Sequence, residues 1–283
     1  MTGLVTGVVV VALAVGAGVT YRWAAGLWQA GPTAPEPGCQ TLTGEVTSLT
    51  IEQSGNAAII AGIAARRGLI PRAVAIAITT AYQESGIRNL DYGDRDSLGM
   101  FQQRPSMGWG KPEQVMDPFY STGKFFDVMV RVDDWQTADI GDVAQAVQRS
   151  GYPDAYDKHI DAANQLTPAL TGELPAAWSC VVTDPAAPDP DGLASRLEKA
   201  YGAAVKIQGV TSQSGGPASI TVTTKTEAGA WSVAAFAQSW ATDTGVSAVT
   251  AGIYEWRASA DTLAEWVGIP ASAAAPTTVV ITF

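Results

Sequence analysis

The chain is poor in the residues that hold metals. Its 283 residues include one histidine and two cysteines, and no Cys, His and carboxylate spacing among them fits a metal site. No cofactor is expected. Basic residues are also scarce, 17 against 27 acidic, for a formal net charge of -10. They are spread thinly: residues 51–180 hold 11 basic against 16 acidic, and the chain from Val181 onward holds 5 against 9. With no basic run or patch in the sequence, no nucleic-acid partner is expected. The same dispersion argues against electrostatic docking on anionic lipids or wall polymers. The single histidine, His159, falls in the polar stretch DAYDKHIDAANQ and reads as a surface residue.

What is present divides the chain into five segments. Leu4 to Tyr21 is a run of 18 residues without charge. That length suits one membrane-spanning helix, so residues 1–30 read as an anchor, with a cleaved signal segment as the alternative. Residues 31–49 carry prolines at 32, 35 and 37 and read as an extended tether. Residues 50–181 show helical patterning throughout. Ile51 to Arg67 has a capping-box spacing in Thr50 and Gln53, and Pro71 suits the first position of the next helix. Further helices are expected from Asp117 to about Val130, from Ile140 to Arg149, and from Pro153 to about Leu166. Residues 182–191, rich in Pro and Asp, read as a linker. Residues 192–283 read as a small α+β domain: helices over 192–201 and 230–242, strands over 219–225, 245–256 and 277–283. Trp240 and Trp256 are expected in its core.

The organising stretch is Ala81 to Gly110. The helix from Pro71 to Ser85 has no clean polar face before Thr79, and such helices are usually buried. Glu84 sits at its carboxyl end, before Ser85 and Gly86. The negative end of the helix dipole and partial burial both disfavour a carboxylate there. A carboxyl group kept protonated near neutral pH can serve as a general acid. The bland alternative is a solvated glutamate at a fraying helix end.

Gly99, Met100, Phe101, Gln102 and Gln103 follow Glu84 by 15 to 19 positions, and Pro105 closes the segment. Glu84-Ser85 followed at this distance by Gly99-Met100-Phe101-Gln102 resembles the lysozyme-like superfamily, specifically the soluble lytic transglycosylases and goose-type lysozymes. Ala146 to Gly151 and Tyr156 stand where that family has an Ala-Tyr-Asn-Ala-Gly helix end and a later tyrosine. Here Val147 and Gln148 replace the tyrosine and asparagine. The resemblance covers about residues 50–180. It implies a mainly α lysozyme-like domain, preceded here by the N-terminal transmembrane helix and followed by the small α+β domain. The alanine-rich, lysine-poor composition is compatible with a GC-rich, actinobacterial source.

The resemblance implies cleavage of peptidoglycan glycan strands with Glu84 as acid and then base. A lytic transglycosylase would give 1,6-anhydro ends with help from the substrate's N-acetyl group. A hydrolytic muramidase and a non-catalytic wall-binding module are the alternatives. Ser85, Gly99, Phe101, Gln102, Gln103, Trp109, Gln148 and Tyr156 would line the substrate groove, Phe101 and Trp109 offering flat faces to sugar rings. Asp94 and Asp96 are the candidates for a second carboxylate, should one be used. Cys39 and Cys180 bracket the region and would form one disulfide if the domain is exported; two reduced thiols are the alternative. The catalytic domain would then lie outside the cytoplasm, membrane-anchored or secreted, with envelope, secretion or conjugation machinery as partners.

Overall fold

The structure is a computed structural model and describes residues 36–151, 153–212, 217–270 and 274–283. Its central element is helix α1, Ile51–Arg66. Thr50 caps it as the spacing predicts: Thr50 Oγ1 accepts from Gln53 N–H at 3.3 Å and Gln53 Oε1 accepts from Thr50 N–H at 2.9 Å. Every residue from Ser54 to Ala64 is buried, so α1 has neighbours on all sides. Its glycines permit close approach. A Cβ on Gly62 would lie 2.7 Å from Ala200 Cβ, and one on Gly55 would lie 3.1 Å from the Trp240 ring.

Helix α2, Pro71–Ser85, begins on Pro71 and stops at Gly86, whose φ of 66° is the left-handed cap that glycine accepts cheaply. Then come α3 (Pro112–Val115), α4 (Pro118–Met129, capped by Asp117) and α5 (Ile140–Gln148, capped by Asp139). The last expected helix begins later than predicted. Pro153–Ala155 and Asp157–His159 are short 3₁₀ turns, and α6 runs Ile160–Thr171 with Pro168 inside it.

The described part of the expected tether, residues 36–49, carries secondary structure. Gly38–Thr41 is strand β1, flanked by β2 (Ser48–Leu49) and β3 (Trp178–Val181) in an antiparallel sheet. Cys39 lies directly opposite Cys180 in this pairing, and the two form the expected disulfide, with an S–S distance of 2.08 Å.

Beyond β3, α7 (Pro190–Tyr201) leads into a six-stranded antiparallel sheet. Its strands are β4 (Val205–Ser212), β5 (Ala218–Thr224), β6 (Ala248–Ala251), β7 (Tyr254–Arg257), β8 (Val267–Gly268) and β9 (Thr278–Thr282), in the order β4-β5-β9-β6-β7-β8. Helices α8 (Glu227–Ser239) and α9 (Ala241–Thr244) connect β5 to β6.

The expected fold class is corrected here. The described residues hold nine α-helices and nine strands, 46% helix and 17% strand, and Glu36–Phe283 is one compact unit. There is no mainly α domain with a separate α+β appendage. The reason is α8, buried from Ala230 to Ser239, which packs against the sheet on one side and against α1 and α6 on the other. Ser232 Oγ donates to Leu170 O at 2.8 Å, and Trp178 Nε1 donates to Ser239 Oγ at 3.0 Å, both across this junction. The proline-rich segment is pinned as well. Val182, Ala186 and Asp189 donate their N–H groups to Ser259, Thr242 and Thr244 carbonyls at 2.8–2.9 Å, and Asp189 caps α7. The transmembrane helix expected in residues 1–30 lies outside the described residues; among those described, no helix is long and apolar enough to cross a membrane.

Candidate active site

Three chain segments converge on Glu84: the end of α2, the end of α5, and the turn before α6. Each is fixed by contacts from elsewhere. At the end of α2, Gly86 and Ile87 both take positive φ, 66° and 59°. A β-branched residue in that region is strained. Two amides of α1 hold it there: Gln53 Nε2 donates to Gly86 O at 2.7 Å and Asn56 Nδ2 to Ile87 O at 2.8 Å.

Ser85 is buried and acts within the protein. Its Oγ donates to Met100 O at 2.7 Å and accepts from Arg88 N–H at 3.1 Å, so it clips the following loop to the helix end. Gly99 (φ 76°) makes the turn into that loop; a Cβ there would lie 2.6 Å from Val115 O. Leu98 and Gln103 exchange two backbone hydrogen bonds at 3.0 Å, and Gln103 Nε2 donates to Ser121 O at 3.0 Å.

These contacts overturn two expected roles. Gln103 is buried with its amide committed to α4, so it is not a sugar ligand. Phe101 is fully buried and stacked on Phe125 at a centroid distance of 4.5 Å, so its face is not open to a sugar ring. Its carbonyl matters instead: Gln148 Nε2 donates to Phe101 O at 2.7 Å. The same amide is a hydrogen-bond partner of Glu84. Tyr156, fully buried, donates its hydroxyl to Glu84 Oε1 at 2.6 Å.

Burial pushes the Glu84 carboxyl above the ordinary carboxylate range, and the hydrogen bonds from Tyr156 and Gln148 offset part of that rise. Burial and the adjacent Glu84 push the Tyr156 phenol far above its usual value, so it stays a donor. His159 is half-buried, not free on the surface. It stacks on Tyr82 at 5.3 Å, and its Nε2 lies 3.3 Å from Gln83 Oε1.

The two second-carboxylate candidates are placed differently from Glu84. Asp96 accepts from Arg104 Nε at 2.9 Å and from Ser106 N–H at 2.7 Å, which hold its carboxyl well below the usual range. Asp94 is 91% exposed at its side chain and faces only Arg95, at 3.8 Å. Among the described residues no group of three or more His, Cys, Asp or Glu could hold a metal.

A groove of about 470 Å³ opens beside Gln148, lined also by Gln102, Trp109, Lys124, Arg131 and Arg149. Of the residues expected around a substrate, Gln102, Trp109 and Gln148 line this groove, together with arginines and Lys124 that the sequence did not point to. Their positions are far apart in sequence, and no local pattern marks them. Glu84 itself does not line this groove, nor does it line a larger cleft of about 570 Å³ between the end of α1 and strands β4 and β5. No protein-family model matches the chain, and no curated protein matches it.

Proposed function

We propose that this chain cleaves the glycan strands of peptidoglycan, with Glu84 as the single acid and base. The observation that carries the reading is the Tyr156 hydroxyl held 2.6 Å from Glu84 Oε1. With Oε1 engaged by a donor, Oε2 is the oxygen left to carry the transferable proton. Burial shifts Glu84 toward that protonated form. Once the proton passes to the bridging oxygen of the glycosidic bond, the C–O bond breaks and Glu84 is left as an anion. Tyr156 and Gln148 then stabilise that anion through the hydrogen bonds already in place.

The electron-poor sugar carbon is next met by the substrate's N-acetyl oxygen. The sugar's own 6-hydroxyl then closes the ring, losing its proton to Glu84 and giving a 1,6-anhydro end. Attack by water in place of the 6-hydroxyl would give hydrolysis. The single-carboxylate route is supported by Asp96, committed to Arg104 and Ser106, and by Asp94, which stands in solvent. The disulfide fits an oxidising compartment, which supports an extracytoplasmic site of action.

The test is Glu84→Gln, with folding checked by circular dichroism and muropeptide release measured on purified peptidoglycan. We expect the fold kept and turnover reduced by at least about 10³-fold, as loss of an essential proton donor combined with loss of anion stabilisation requires. Undiminished release by the folded variant refutes Glu84 as the acid. Product masses separate the two outcomes, since an anhydro end lacks one water.

A further inference from the structure

The groove beside Gln148 has a charge opposite to that of the whole chain. Arg104, Lys124, Arg131 and Arg149 line it, with Asp127 as its acidic member. Asp127 is already paired with Arg67, and Arg104 with Asp96. Lys124 is only loosely placed by Asp127, at 4.0 Å. Among the described residues Arg131 and Arg149 form no ion pair, and both are exposed. The groove therefore presents unneutralised positive charge in a chain of net charge -10.

Its backbone is also built against local preference. Gln102 and Arg149, neither of them glycine, line the groove with positive φ, of 47° and 54°. Arg149 is the C-cap of α5, a position at which glycine or asparagine is the easy choice. A cation at a helix C-terminus is favourable in itself, but that does not account for an arginine in this backbone conformation.

We propose that this groove receives acidic substituents of the glycan strand, and that Arg131 and Arg149 select a negatively charged strand over a neutral one. The inference rests on the glycan-cleaving reading and names its preferred substrate. Glycan strands whose sugars carry peptide stems with free carboxylates have the complementary chemistry. Arg131 and Arg149 supply the planar donor fork that suits a carboxylate, and Trp109 gives the groove an aromatic wall. A chain with net charge -10 repels such a polymer at long range, so a local cationic track is what admits it.

The experiment compares three forms of peptidoglycan: untreated, with stem carboxylates amidated, and treated with hydrofluoric acid to strip phosphodiester-linked polymers. Muropeptide release is measured with the wild-type chain, Arg131→Gln, Arg149→Gly and the double variant. Binding is measured by sedimentation in a Glu84→Gln background. Arg149→Gly suits the positive φ better than arginine, so weakened binding by it does not arise from misfolding.

We expect amidation, and not acid stripping, to weaken wild-type binding and release. Each arginine substitution should weaken binding to untreated strands about fivefold, in the range of an exposed ion pair. The double variant should bind untreated and amidated strands alike. If the double variant discriminates as the wild type does, or if only acid stripping matters, the carboxylate assignment is overturned. If the wild type releases no muropeptides yet binds in the arginine-dependent way, the cleavage reading fails and the groove assignment stands.

Discussion

Removing the Cys39–Cys180 disulfide should cost this chain a large share of its stability, and the amount can be worked out. The bond closes a loop across a sequence separation of 141 residues. In the chain-entropy treatment, a closure of that length removes about 17 cal/mol/K from the unfolded chain, or about 5 kcal/mol at 25 °C. Both sulfurs are buried, so the double variant Cys39→Ala, Cys180→Ala is the right perturbation. It leaves no unpaired thiol and adds only about 1 kcal/mol of lost burial. With about 2.1 cal/mol/K of unfolding entropy per residue over roughly 250 residues, 5 kcal/mol corresponds to a fall in Tm of about 10 °C. Urea denaturation of the oxidised wild type and the double variant gives the difference directly. A loss below about 1 kcal/mol with an unchanged m-value would refute the loop-closure reasoning. A changed m-value would instead mean that the variant's unfolded or folded state has altered in compactness.

Three further outcomes follow from the site. Glu84 is raised from an ordinary value of 4.5 by burial, so its ionisation disfavours folding: stability is full in acid and falls as pH rises through the ordinary value toward the folded one. Glu84→Gln should therefore melt higher than wild type at pH 7, with the difference shrinking by about pH 4; a lower melting point at pH 7 would contradict this. Tyr156→Phe removes the 2.6 Å donor to Oε1, and a hydrogen bond to a charged group is worth about 1.5–3 kcal/mol. Turnover should fall roughly 10- to 150-fold and the basic limb of the pH–rate profile should move to higher pH, whereas a purely structural role for Tyr156 would leave that limb in place. Asn56→Ala leaves Ile87 O without its buried partner and should lower unfolding free energy by about 2 kcal/mol; a neutral effect in urea titration would show that the left-handed Ile87 needs no clamp.

Local chemistry was legible in the sequence wherever one element decides it. The Thr50–Gln53 box, Pro71 at a helix start, Gly86 at a helix end and the β5 and β9 alternation all form as their residues predict. Glu84 could be placed because its helix is apolar and ends at a glycine. The union of the two halves was not legible. Helix α8 reads as amphipathic through Val233, Phe236 and Trp240, yet its alanines and serines are buried too. Small residues look neutral in a pattern of hydrophobic stripes, although they are what lets helices approach on every side. Asp and Pro in 182–191 read as a linker for a similar reason: the pattern does not show that Ser259 and the α9 residues Thr242 and Thr244 supply partners for its backbone.

Charge misled in a related way. Counting along the chain spreads Lys124, Arg131 and Arg149 among acidic neighbours and shows no patch. Folding sorts them onto one groove because Lys124 lies on α4, Arg131 just beyond its end, and Arg149 at the end of α5, two helices packed against each other. Gln148 stands where the familiar pattern has an asparagine. One amide bonds both the Phe101 carbonyl and the Glu84 carboxyl, so it ties the loop that Ser85 clips to the acid itself. Val147 beside it is simply core. The Glu84 carboxyl is thus held here without a tyrosine at 147 or an asparagine at 148. Gln148→Asn would shorten that reach by one methylene, and Gln148→Leu would remove the donors while keeping comparable bulk. If the amide is what orients Glu84, both changes should depress turnover together; if bulk alone matters, Gln148→Leu should leave it unchanged.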